Sequence, residues 1–352
     1  MIDLDDEVAV RAGDPGGMLA TIAALPGHCR EGYRLGREVA PAPSAQGVTA
    51  VAVCGMGGSA VAGDVIRALY AHRLALPVVV VRASELPAFC GPDTLVLASS
   101  YSGDTAEVME CFEEAVERGC RLIAVTSGGR LFARAGELGL ARVLVPAGLM
   151  PRAALGYLVL GSLGALETAG LVPPLPEDVE EAADELSSLA ATCAPAVPAS
   201  VNPAKRVARA IGDRVPVVWG AEGLGSAAAI RWKTQFNENA KIPAWASALP
   251  ELDHNEVVGW SDGAGSRFFL VALRHEGEPA GDAARFPLSM DVARESGAHV
   301  EEVWARGSSD LARFLSLAMT GDFTSAYLGI ARGVDPTPVD AIARLKRALA
   351  EA

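Results

Sequence analysis

The chain has 352 residues, half of them hydrophobic and 21% charged, enough for roughly two globular domains with ample core. Its net charge of −13 argues against a polyanionic partner such as nucleic acid, and no run of about 18 uncharged apolar residues is present to span a membrane. The six cysteines lack CxxC or metal-ligand spacing, and the acidic start Met-Ile-Asp-Leu-Asp-Asp-Glu lacks a signal peptide's basic opening. A cytoplasmic protein with no cofactor and no metal is expected.

Residues 1–40 form a polar, helix-prone lead-in. Apolar, β-branched runs near 48–54, 76–82, 94–99, 121–126 and 142–146 then alternate with helical patterns, which predicts a parallel, doubly wound α/β sheet. An apolar helix opens at Pro151, and an acidic one ends near Ala191. The Pro-rich stretch 194–203 is the expected boundary between a first domain, 1–195, and a second, 196–352. The second begins with the strand Val215–Trp219 and repeats the plan of a strand, a glycine turn, Gly-Ser-Ala and a helix. Further strands are expected at 267–273 and 299–304, with helices at 307–320 and 336–350. The second half therefore reads as a degenerate copy of the first.

Residues 51–64, Val-Ala-Val-Cys-Gly-Met-Gly-Gly-Ser-Ala-Val-Ala-Gly-Asp, run from buried strand through glycine turn to helix. Free N–H groups and the positive end of a helix dipole meet there, which suits an anion. The spelling Gly55-x-Gly57-x-x-Ala60 nearly matches the dinucleotide fingerprint, but the second strand ends in Arg82 instead of an acidic residue. The missing acidic residue weakens a dinucleotide reading without excluding NADP, since an Arg can face a 2′-phosphate. A tight turn with no ligand is the bland alternative. The third strand is followed by Ser100-Tyr-Ser102-Gly-Asp-Thr105, a second helix N-terminus rich in hydroxyls. Two such turns in one α/β unit favour a phosphate monoester over a pyrophosphate.

The paired elements Gly-Met-Gly-Gly-Ser-Ala and Ser-Tyr-Ser-Gly-Asp-Thr resemble the sugar isomerase (SIS) family of phosphosugar-binding domains. With the motifs below, the chain resembles the bifunctional phosphoglucose/phosphomannose isomerases from about residue 50 to the C-terminus. The resemblance implies two doubly wound, parallel-sheet SIS subdomains of flavodoxin-like kind. It also implies a metal-independent aldose–ketose isomerase of glucose 6-phosphate, mannose 6-phosphate and fructose 6-phosphate. Gly57, Gly58, Ser59, Ser100, Ser102 and Thr105 would grip the phosphate.

Residues 237–241, Asn-Glu-Asn-Ala-Lys, place two Asn in a helix, where their side chains compete for the backbone. An exposed Glu at a fraying helix end is the ordinary explanation. In the family this is the signature carrying the catalytic base, here Glu238. His254 has Asp253, Asn255 and Glu256 beside it, any of which could orient an imidazole. The family's His-Asn-Glu motif matches it, and there the His opens the sugar ring from the partner subunit of a homodimer. Pro151-Arg152 matches the element that stabilises the enediol oxygens. Lys346, on the C-terminal helix, matches a substrate-contacting lysine, although a solvated tail lysine competes; Thr337 is a weaker candidate again. Asp104 stands where the family commonly has Asn, bringing a negative charge beside the phosphate turn. A binding-only SIS sensor and an isomerase of another phosphosugar remain as alternatives.

Overall fold

In the first sheet Val51, Val53, Leu95 and Leu97 alternate with Ala52, Cys54, Val96 and Ala98, and both sets are buried. A strand covered on both faces reads as a continuous apolar run, and that is the sequence pattern of these segments. The computed structural model describes residues 1–350 apart from Asp262. Helices α1 (Glu7–Ala12), α2 (Met18–Ala23) and α3 (Leu25–Arg37) lead in. The first unit comprises β1 (Ala50–Cys54), α4 (Val61–Tyr70), β2 (Val78–Val81), β3 (Thr94–Ser99), α5 (Ala106–Glu117), β4 (Arg121–Thr126), α6 (Gly129–Glu137) and β5 (Ala141–Leu144). Helices α7 (Leu155–Thr168), α8 (Pro176–Thr192) and α9 (Pro203–Ile211) follow. The second unit comprises β6 (Val215–Ala221), α10 (Leu224–Asn239), β7 (Trp245–Leu249), α11 (Glu256–Gly259), β8 (Phe268–Arg274), α12 (Ala280–Glu295) and β9 (His299–Trp304). Helices α13 (Asp310–Ala331) and α14 (Asp340–Ala350) close the chain.

All strand pairs are parallel, in the order β2-β1-β3-β4-β5 for the first sheet and β7-β6-β8-β9 for the second. The second sheet repeats the first four places of the first, as the echo in the sequence predicts. The inner faces of both sheets (Val51, Val53, Leu95 and Leu97; Val218, Phe269 and Val271) share one core with α7, α10 and α13. The outer faces have separate cores, under α5 and α6 on one sheet and under α12 on the other.

Strand β7 was not expected. Trp245-Ala-Ser-Ala-Leu249 contains no β-branched residue and lies at a sheet edge, so neither propensity nor burial marks it. The expected helix at 307–320 runs instead to Ala331. The expected helix at 336–350 starts only at Asp340: residues 336–337 form a bend, and Pro336 and Pro338 lack the backbone N–H that a helix interior uses. Among the described residues no helix is long and apolar enough to cross a membrane.

Strand order reverses between β1 and β3, so the loops leaving their C-terminal ends part on opposite sides and open a crevice. The glycine turn after β1 and the hydroxyl-rich turn after β3 both leave the sheet there.

Candidate active site

The first turn is a short 3₁₀ segment, Gly57–Ser59, that runs into α4, and no side chain caps either. Its leading amides are therefore open to an anion. Gly58 lies hard against the 3₁₀ turn Pro151–Ala154: a Cβ there would come within 2.9 Å of Arg152 Cα and 3.0 Å of Arg152 N. The second turn ends at Thr105, which precedes α5 without capping it. Ser100 Oγ accepts from Gly103 N at 3.1 Å and lies 2.9 Å from Thr105 Oγ1. Gly103, at φ +72°, sits against the Gly128 carbonyl, where a Cβ would come within 1.9 Å of the oxygen.

Tyr101 links the two turns and the loop beyond them. Its amide donates to Ser59 Oγ (3.1 Å), and its hydroxyl donates to Pro146 O and accepts from Leu149 N, both at 2.9 Å. That fixes the approach to Pro151-Arg152. Asp104 turns away from the crevice, and its Oδ1 accepts from Arg130 N (3.0 Å) at the otherwise uncapped start of α6. The carboxylate caps a neighbouring helix and not its own.

These elements enclose a cavity of about 420 Å³. Gly57, Gly58, Ser59, Ser102 and Thr105 line one side, and Arg152, Glu238 and Lys346 also face it. Ser100 does not line it; fully buried, it stands behind Thr105.

Arg152 is 2% exposed. Its Nε donates to Asn239 Oδ1 (2.8 Å) and its Nη2 to the carbonyls of Pro336 (2.7 Å) and Thr337 (2.9 Å). Nη1 has no hydrogen-bond partner and lies 3.5 Å from Glu238 Oε2. Burial lowers the Arg152 pKa from its ordinary value and the Glu238 carboxylate opposes that shift, leaving a cation at neutral pH.

A buried network holds this pair. On α10, Arg231, Gln235 and Asn239 recur every four residues and so share one face. Arg231 grips Asp322 of α13 through Nε (3.0 Å) and Nη2 (2.7 Å), and the same Nη2 donates to Arg152 O (2.8 Å). Gln235 donates to Asp322 at 2.7 Å, and Asn239 donates to Ser325 Oγ at 3.0 Å. The sequence reading gave Arg231, Gln235 and Asp322 no role and marked Asn239 only as part of the Asn-Glu-Asn-Ala-Lys signature; the i, i+4, i+8 spacing of Arg231, Gln235 and Asn239 was the available signal.

His254 is not brought to this cavity. It is solvent-exposed at the end of a 3₁₀ turn, Glu251–His254, and its acidic and amide neighbours are occupied elsewhere. Asp253 accepts from Ser289 Oγ (2.6 Å) and Arg285, Asn255 pairs with Glu251, and Glu256 accepts from Trp219 Nε1 (2.8 Å). They build the loop that displays the imidazole. Arg82, weighed above as a 2′-phosphate partner, is paired with the buried Asp64. Among the described residues no group of three or more His, Cys, Asp or Glu could hold a metal ion.

Two parallel α/β units around one anion-ready crevice, with an arginine and a glutamate in its wall, define a phosphosugar protein of the sugar isomerase type. The model of the bacterial phospho-glucose isomerase C-terminal SIS domain matches residues 200–349. The chain is 35% identical, over 95% of its length and 99% of the relative's, to the bifunctional phosphoglucose/phosphomannose isomerase of Caldicellulosiruptor bescii. It is 36% identical to the protein of that name from Aquifex aeolicus, over 85% of this chain and 90% of that one. The fold matches a glucose-6-phosphate isomerase like protein from Thermus thermophilus with a TM-score of 0.63, at 20% identity and 99% coverage of both chains. The chain belongs to the bifunctional phosphoglucose/phosphomannose isomerase family.

Proposed function

We propose that the protein interconverts glucose 6-phosphate and mannose 6-phosphate with fructose 6-phosphate. The observation that carries this reading is the Glu238–Arg152 pair facing a cavity bounded by two uncapped turns. A phosphate monoester matches the free amides of Gly57 and Gly58 and the hydroxyls of Ser59, Ser102 and Thr105, with Ser100 holding Thr105 from behind. Lys346 can reach the phosphate or the ring oxygen from α14.

Glu238 takes the proton from C2 of the open aldose while the C1 oxygen gains one, giving a cis-enediol. Returning the proton to C1, with loss of the O2 proton, gives the ketose. Oxidation at C2 and reduction at C1 cancel within the substrate, so the route needs no redox partner. Arg152 Nη1 holds unused donor capacity for the charge that develops on the two oxygens. The two aldoses differ only at C2, which is planar in the enediol, so one base serves both if the sugar turns about C2–C3.

The exposure of His254 and its absence from the cavity lining support delivery by a second copy of the chain, where it would protonate the ring oxygen during opening. The working unit is then a homodimer. Residues 1–195 hold the phosphate, and 196–352 supply Glu238 and His254. Six buried, free cysteines favour a reducing, cytoplasmic setting.

Incubation with fructose 6-phosphate and EDTA should give both aldose phosphates at comparable rates. Glu238→Gln should lower kcat by about 10²–10⁴. Wild-type activity in that variant would refute the reading. Bound sugar phosphate with no product from the wild-type chain would point to a sensor.

A further inference from the structure

Lys241, just past the end of α10, has φ 57°, and among the described residues it is the only non-glycine residue with positive φ. Side chains other than Asn and Asp rarely adopt this left-handed conformation, so the surroundings must hold it. The lysine's ammonium is what is held. Its Nζ donates to the carbonyl of Glu238 and, at 2.9 Å, to the carbonyl of Pro336. That same Pro336 oxygen accepts from Arg152 Nη2 at 2.7 Å. Two cations from different halves of the chain therefore close on one peptide oxygen.

The clasped segment lies between α13 and α14. Helix α14 gains little anchorage of its own, since residues 341–349 are all exposed, yet Ile342, Ala343 and Lys346 face the cavity. Thr337 adds one further pin, packed where a Cβ on Gly16 would meet its Oγ1 at 2.1 Å. The groups facing the ammonium are Arg152, Asp335, Glu238 and Asp340. Burial and then Arg152 lower its pKa from the ordinary lysine value.

We infer that Lys241 is a positioning residue: by joining the Glu238 and Pro336 carbonyls it sets the distance between the proposed base and the strap that carries Lys346 over the substrate. The inference rests on the proposed role of Glu238. The ammonium touches no reacting atom. It acts through the backbone at both ends of the cavity wall, and the strained φ aims its side chain at both carbonyls.

The test compares Lys241→Met, which keeps the stem and removes the donors, with Lys241→Gly, which also relieves the backbone. Full-length variants are assayed with fructose 6-phosphate, and amide exchange is followed at residues 332–346. Misplacing a base by about 1 Å costs on the order of a hundredfold, so kcat should fall about ten- to a hundredfold in both variants. KM should rise and exchange across 332–346 should quicken, while the melting temperature of Lys241→Gly stays at or above wild type. Unchanged exchange, or activity lost only in step with the folded fraction, would overturn the positioning role. Glu238→Gln separates the two readings: if that variant stays active the base assignment fails, while the exchange measurement still decides whether Lys241 clasps the strap.

Discussion

Arg152 Nη1 stands 3.5 Å from Glu238 Oε2, whereas Nε and Nη2 of the same guanidinium are bonded to Asn239, Pro336 and Thr337. The fork is thus divided. Two nitrogens lock the group in place, and the third is directed at the carboxylate on the cavity wall. A lysine could place a charge there but could not reproduce three fixed bonds in a plane. Arg152→Lys should lower kcat about 10²- to 10³-fold, in line with the loss of one preorganised donor to a developing oxyanion. Steady-state kinetics with fructose 6-phosphate checks this; a variant altered in KM alone would place Arg152 in ground-state binding.

Asp104 raised a different question, because a carboxylate beside a phosphate turn should repel the ligand. Its Oδ1 is instead bonded to Arg130 N at the start of α6. Asn can cap a helix almost as well as Asp, so Asp104→Asn should leave KM for fructose 6-phosphate within about twofold of wild type. Asp104→Ala should cost about 1 kcal/mol of stability through the lost cap, again without moving KM. A tenfold fall in KM for Asp104→Asn would show that the charge is felt at the phosphate after all.

Much of this architecture was legible from residue type and spacing. The Val- and Leu-rich runs that became β1, β3 and β4 are buried on both faces, so packing reinforced propensity. Edge strand β7 lacked that reinforcement. Helix α13 outran its expected end because Gly321, Asp322, Thr324 and Ser325 are poor helix formers, yet Asp322 is satisfied by Arg231 from 91 residues away. Tertiary pairing overrode local preference there. The site divides along the same line. Its turns are local and carry a readable pattern, while the Arg231–Asp322–Gln235 support joins distant segments and leaves only a faint polar stripe on α10.

One ion-dependent contact between α8 and α13 can be tested by pH. Glu181 accepts from Ser308 Oγ (2.6 Å), Ser308 N and Ser309 N (3.1 Å) at the start of α13. Burial alone would raise its pKa, but these bonds outweigh burial and lower it to about 2 from an ordinary 4.5. A carboxylate with a depressed folded pKa stabilises fully above its unfolded value, and the contribution is lost as pH falls through the folded one. Glu181→Gln should therefore be less stable by about 1 kcal/mol at pH 7. The gap should narrow between pH 5 and about 2, read as urea midpoints of the two proteins at pH 7 and at about pH 3.5. A gap that stays constant would mean that packing, not charge, makes the contact.

His254 offers the sharpest test of assembly, since it is exposed and absent from the cavity that contains Glu238. If each site takes its histidine from the partner, Glu238→Gln and His254→Asn spoil different sites in a mixed dimer. One site would combine both lesions. The other would combine an intact Glu238 with an intact His254 and regain full function. Random mixing of two nearly inactive variants should then restore about a quarter of wild-type activity. The assay is fructose 6-phosphate turnover after co-expression, or after unfolding and refolding the variants together. Histidine acting within its own subunit restores nothing, because every site would then carry one lesion. Recovery that appears on mixing and disappears when the two variants are refolded separately would locate His254 across the interface.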